Sequence, residues 1–111
     1  MQLSEKQIDE INVSLTESLP EEIIQWALDQ NMKTVVSTSF GYNSAVTLHM
    51  VTKLQPDIPV IWVDSGYNVK DAYLIAEKLI TELDLNIHIY NPLMSASRRE
   101  ALFGANFAIP D

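Results

Sequence analysis

Pro59-Val60-Ile61-Trp62-Val63 is the stretch that leaves this chain the fewest architectures. It is apolar throughout and does not alternate, so it predicts a strand buried on both faces, as in a parallel sheet. Parallel neighbours must be joined by long crossovers, usually helical. The flanking sequence supplies them. Ala45, Val46, Leu48, Met50 and Val51 precede the run at helical spacing, and Ala72, Ala76, Leu79, Ile80 and Leu83 follow it. A further strand is expected over residues 34–39, and a helix over 43–54 that ends at Gln55-Pro56-Asp57, where proline cannot continue it. Asn86-Ile87-His88-Ile89-Tyr90 alternates as a third strand and stops at Asn91-Pro92. The alternation of strand and helix implies right-handed crossovers in an α/β fold.

Two helices are expected before the first strand. Ser4 with Gln7 forms a capping-box pattern, Leu3 and Ile8 fit a hydrophobic staple, and Ile8, Ile11 and Leu15 follow at helical spacing. Ser18 and Glu21 repeat the cap signal with Pro20 in the first turn, and Gln30-Asn31 closes the second helix. Residues 1–31 thus read as an N-terminal helical cover on the sheet, and 32–111 as a βαβαβα core within one domain, 1–111. Ser95 is expected to cap a last short helix running to Phe103, with Gly104 as its left-handed terminator.

The formal charge of −8 is concentrated at the start: residues 1–30 carry seven acids against Lys6 alone, and the rest is near balance. No basic stripe suits a nucleic-acid duplex. No apolar run approaches a membrane span, and the acidic amphipathic start does not resemble a signal peptide, so a cytoplasmic setting is expected. The sequence contains no cysteine, which removes disulfides, thiolate metal sites and thiol nucleophiles from its own chemistry. His49 and His88 stand at unrelated spacing and are read as packing or surface residues; no metal, cofactor or catalytic residue is assigned.

Chemistry is expected beyond the carboxyl ends of the strands, where open parallel sheets bind ligands. The first such turn, residues 37–44, holds Ser37, Thr38, Ser39, Phe40, Gly41, Asn43 and Ser44. Small hydroxyl residues with a glycine, leading into a helix N-terminus, suit an anion such as phosphate or sulfate; the same residues could simply cap an ordinary loop. The second turn, after Val63, offers Asp64, Ser65 and Gly66 for a ribose or base, unless Asp64 merely caps the next helix. Neighbouring strands would bring the two turns side by side.

This pair of turns resembles the PP-loop, or adenine nucleotide α-hydrolase-like, superfamily, and within it the 3′-phosphoadenylyl sulfate (PAPS) reductases. Ser39-Phe40-Gly41-Tyr42-Asn43-Ser44 lies on the superfamily pattern SGGxDS, with the phenylalanine characteristic of the reductase branch. Val63-Asp64-Ser65-Gly66-Tyr67-Asn68 corresponds to the aspartate-threonine-glycine turn of the family. Residues 87–90 and 98–102 are similar to the cyanobacterial type. The resemblance covers about residues 20–111. It implies a three-layer parallel sheet, here cut to about three strands with two N-terminal helices. Residues 37–44 would hold the phosphosulfate of PAPS, or a phosphate of adenosine 3′,5′-bisphosphate, and residues 63–66 would lie against the adenosine. Asn43 in place of aspartate disfavours the ATP-dependent adenylating branch.

Family reductases attack the sulfur of PAPS with a cysteine near the C-terminus and release sulfite with thioredoxin or glutaredoxin. No such cysteine is present. The expectation is therefore a nucleotide-binding front half of such an enzyme, without turnover of its own. The alternative is an interaction module: the superfamily strand order 3-2-1-4-5 would leave strand one as an open edge, favouring a homo-oligomer.

Overall fold

The computed structural model describes residues 2–104. The α/β class is observed, with three parallel strands and five helices. In chain order these are α1 (Glu5–Leu15), α2 (Pro20–Leu28), β1 (Val36–Ser37), α3 (Ser44–Leu54), β2 (Pro59–Val63), α4 (Lys70–Glu82), β3 (Asn86–Tyr90) and α5 (Ala96–Phe103). The strand order is β1-β2-β3, so among the described residues β1 is an edge. Val36 and Ser37 pair with Val60 and Ile61, and β2 pairs with β3 from Pro59↔Asn86 to Val63↔Tyr90. The strand expected over 34–39 is shorter than its sequence suggests. It has one neighbour to hydrogen-bond, and after Thr38 N–H reaches Ile61 O at 2.9 Å the chain turns away.

Strand β2 matches its apolar run residue for residue, but its two faces differ. Val60 and Trp62 are buried at 0% and 4% exposure, whereas Ile61 is half-buried and Val63 is 70% exposed. Burial on both faces is therefore not what the described residues form. Two right-handed crossovers running in one direction place both helices on one side. Accordingly Leu48 of α3 and Ala76 of α4 join Val60 and Trp62 in the core cluster, together with Phe40 and Leu85. Each fully buried side chain of this size contributes about 1.5–3 kcal/mol. The opposite face carries Ser37, Ile61 and His88 in register.

The N-terminal helices, expected as a cover over the sheet, meet it through α3. Helix α2 packs against α3, and neither α1 nor α2 has a fully buried residue. The α1 capping box forms as read: Gln7 N–H donates to Ser4 Oγ at 3.2 Å, and Ser4 N–H donates to Gln7 Oε1 at 2.9 Å. On α2 the cap lies one residue later than expected. Leu19 is the N-cap, Pro20 is the first helical residue, and Leu19 N–H donates to Glu22 Oε1 at 3.1 Å. Ser18 instead donates back to Ser14 O. Ser95 caps α5 by accepting from Arg98 N–H, as expected. Gly104 has a positive φ of 85° with an extended ψ of 159°, so it ends α5 without entering the left-handed helical region. Among the described residues no helix is long and apolar enough to cross a membrane.

Candidate functional site

The carboxyl end of β1 opens onto a cleft of about 310 Å³ lined by Ser37, Thr38, Ser39, Gly41, Asn43, Ser44 and Thr47, among others. Six of the seven residues singled out in the first turn therefore share one cavity. Phe40 is the exception. Its side chain is 3% exposed and stands edge-on to Trp62, with ring centroids 4.9 Å apart and planes at 80°. Phe40 thus meets the turn only through its backbone, which has a left-handed φ of 54°. A bulky residue held there is strained, and burial of its ring holds it in place.

Thr38 ties the turn together. Its Oγ1 accepts from Phe40 N–H at 3.0 Å and donates to Ser44 Oγ at 3.3 Å, linking the end of β1 to the first residue of α3. Ser44 N–H closes the loop onto Gly41 O at 3.1 Å. Gly41 leaves room for this: a Cβ there would sit 3.3 Å from Ser39 Oγ. The N-terminus of α3 differs from those of α1 and α5. Its N-cap, Asn43, makes no side-chain capping bond, whereas Ser4 and Ser95 both cap. The amides of Ala45 and Val46 are in the first turn of α3, where a helix has no internal acceptor for them. The hydroxyls of Ser37, Thr38, Ser39, Ser44 and Thr47 line one cleft at the positive end of the α3 dipole, and that suits an anion.

A second cavity of about 430 Å³ adjoins the first, lined by Ser37, Thr38, Ser39, Ile61 and Val63. Val63 is thus brought beside the first turn. Asp64, Ser65 and Gly66 line neither cavity, and Gly66 lies against α5, where an added Cβ would sit 3.3 Å from Ala96 Cβ. Gly66 has φ 85°, a conformation glycine adopts without penalty. Asp64 does not cap the following helix, whose N-cap is Val69. Its Oδ1 accepts from Gly66 N–H at 2.9 Å, Asn68 Nδ2 at 3.2 Å and the Tyr73 hydroxyl at 2.8 Å. Tyr67 reaches Ala96 O through its hydroxyl at 3.3 Å, tying the turn to α5. The bond to Asp64, then desolvation, then the nearby negative charge raise the pKa of Tyr73 above its ordinary value.

Sequence reasoning passed over Tyr73 and Thr47. Tyr73 carries a signal, as a polar aromatic beside the Ala72, Ala76, Leu79 stripe; Thr47 lies one helical turn past Asn43 and carries none. His49 and His88 are both exposed. Among the described residues no cluster of His, Asp or Glu converges as a metal site.

Residues 33–109 match the family model described as phosphoadenosine phosphosulfate reductase domain. A phosphoadenosine 5′-phosphosulfate reductase of Synechococcus sp. is 46% identical over 98 residues, 87% of this chain and 42% of the relative. One from Alteromonas mediterranea is 40% identical over 105 residues, 94% of this chain and 42% of the relative. The chain therefore spans less than half the length of these relatives. The crystal structure of PAPS reductase from Candida auris in a phosphate complex superposes with a TM-score of 0.84 at 26% identity, covering 96% of this chain and 53% of that one.

Proposed function

The chain belongs to the phosphoadenosine phosphosulfate reductase family, and from that premise we propose that it is a PP-loop domain that binds the adenine nucleotide of sulfate reduction. In this reading residues 37–44 hold the phosphosulfate of PAPS or a phosphate of adenosine 3′,5′-bisphosphate, and residues 63–66 lie on the adenosine side. The observation that carries it is the uncapped N-terminus of α3, opening into a cleft edged by Thr38, Ser39 and Ser44. A phosphate complex of a structurally similar reductase supports an anion of this class. The side chains lining the cleft include no lysine or arginine, so amides and hydroxyls supply the attraction.

The contribution of these residues is binding and orientation. With no cysteine in the sequence, the thiolate that attacks the sulfur of PAPS in the family reading comes from outside them, and so does the step in which thioredoxin or glutaredoxin releases sulfite. A cytoplasmic setting goes with that role. Isothermal titration with adenosine 3′,5′-bisphosphate tests the binding. A saturable heat is expected; a folded protein that gives no heat at millimolar ligand contradicts the reading.

A second reading, assembly of two copies, has its own observation. Among the described residues strand β1 is a sheet edge, with Val35 beside it 51% exposed, and an open edge offers unpaired backbone groups to another chain. Sedimentation velocity at micromolar concentration is expected to show a dimer. A stable monomer would count against this reading.

A further inference from the structure

The two turns are joined by a continuous set of contacts that runs through the core. Three donors meet on Asp64 Oδ1, and two of them, Gly66 N–H and Asn68 Nδ2, belong to the turn itself. The third is the hydroxyl of Tyr73, from the first turns of α4, and it makes the shortest bond at 2.8 Å. The Tyr73 ring lies 5.9 Å from that of Trp62, tilted by 53°. Trp62 in turn stands edge-on to Phe40 at 4.9 Å. The Phe40 amide is held by Thr38 Oγ1, which reaches Ser44 Oγ at the start of α3. Trp62 and Phe40 are almost wholly buried, so neither ring shifts without repacking its neighbours.

We propose that Tyr73 is a positioning residue that fixes the second turn relative to the first, so that the adenosine end and the anionic end of one nucleotide are read together. This rests on the binding reading above. Tyr73 itself touches no ligand in this role. Its hydroxyl acts through Asp64, which orders the Gly66 amide and the Asn68 side chain, and its ring acts through Trp62 and Phe40 on the anion turn. A hydrogen bond to a charged acceptor is stronger than a neutral one, which suits a link that must hold a turn in register. The raised pKa of Tyr73 agrees with a hydroxyl kept as a donor.

Tyr73→Phe separates the two parts, because it keeps the ring against Trp62 and deletes the donor to Asp64. In the ligand-free 111-residue protein, amide exchange at Gly66 should quicken by roughly three- to tenfold while the core amides of Leu48 and Val60 stay protected. In calorimetry, adenosine 3′,5′-bisphosphate, which spans both turns, should bind roughly five- to tenfold more weakly. Inorganic phosphate, which needs only the first turn, should bind unchanged. Equal weakening of both ligands is what a merely structural loss gives and would overturn the proposal, as would unaltered exchange at Gly66. A wild-type protein that takes up neither ligand overturns the binding reading and the nucleotide part of the proposal. The Gly66 exchange then still decides whether Tyr73 holds the turn.

Discussion

Thr38→Val deletes a single oxygen and keeps the side-chain outline, so it isolates what the hydroxyl does in the anion turn. Two bonds go: the one accepted from Phe40 N–H at 3.0 Å and the one donated to Ser44 Oγ at 3.3 Å. The Ser44 hydroxyl can turn to water, but the Phe40 amide is left facing a methyl group next to a ring that is 3% exposed. Leaving a part-buried donor unpaired costs about 1–2 kcal/mol. Unfolding entropy near the midpoint is about 2.1 cal/mol/K per residue, or about 0.23 kcal/mol/K for this chain, so Tm should fall by about 4–9 °C. The turn should also lose definition, weakening inorganic phosphate binding by roughly threefold or more. Thermal melts followed by circular dichroism and phosphate calorimetry read the two effects. Thr38→Ser, which retains the oxygen, should recover most of both. A Thr38→Val protein with Tm within about one degree of wild type and unchanged phosphate affinity would refute the role given to this hydroxyl.

Two other outcomes follow from the second turn. Gly66→Ala must accept φ 85° and a Cβ 3.3 Å from Ala96 Cβ, so it should lose about 1–2 kcal/mol in urea denaturation, and an unchanged midpoint would mean the turn relaxes freely. Tyr73, with its pKa raised chiefly by the bond to Asp64, favours the folded state while protonated. That contribution is complete below the ordinary tyrosine pKa of 10.0 and is lost as pH rises through the higher folded value. Ultraviolet titration should show Tyr73 ionising at lower pH in Asp64→Ala than in the wild type; identical curves would contradict the assignment.

Strand β2, the α1 capping box and the ends of α3 were legible because each rests on local chemistry: an apolar run, a Ser-x-x-Gln pattern, and proline after Gln55. What was not legible depended on which neighbours an element acquires. The second face of β2 reads as buried from its own residues, yet both crossover helices settle on the Val60 and Trp62 side. The α2 cap moved from Ser18 to Leu19 because Pro20 fixes the first helical position, which sets Glu22, and not Glu21, within reach of the cap N–H. At the site, the hydroxyls and the glycine of residues 37–44 line one cleft. Phe40 does not: its wholly apolar ring is buried against Trp62, whereas Tyr42, whose hydroxyl can face water, stays exposed. From its sequence position Asp64 is offered to a ribose or base, or else caps the next helix; the cap is Val69 instead, and Tyr73 and Asn68 reach back to Asp64 and hold it in the turn. Those bonds span four and nine residues, beyond what a local pattern specifies.

The anion site proposed at residues 37–44 underlies every binding outcome above. Mapping amide chemical shifts while adenosine 3′,5′-bisphosphate is added tests this directly. Saturable shifts should centre on residues 37–44, extend to 63–66, and in the first region alone be reproduced by inorganic phosphate. Shifts scattered over the surface, or confined to α1 and α2, would contradict it.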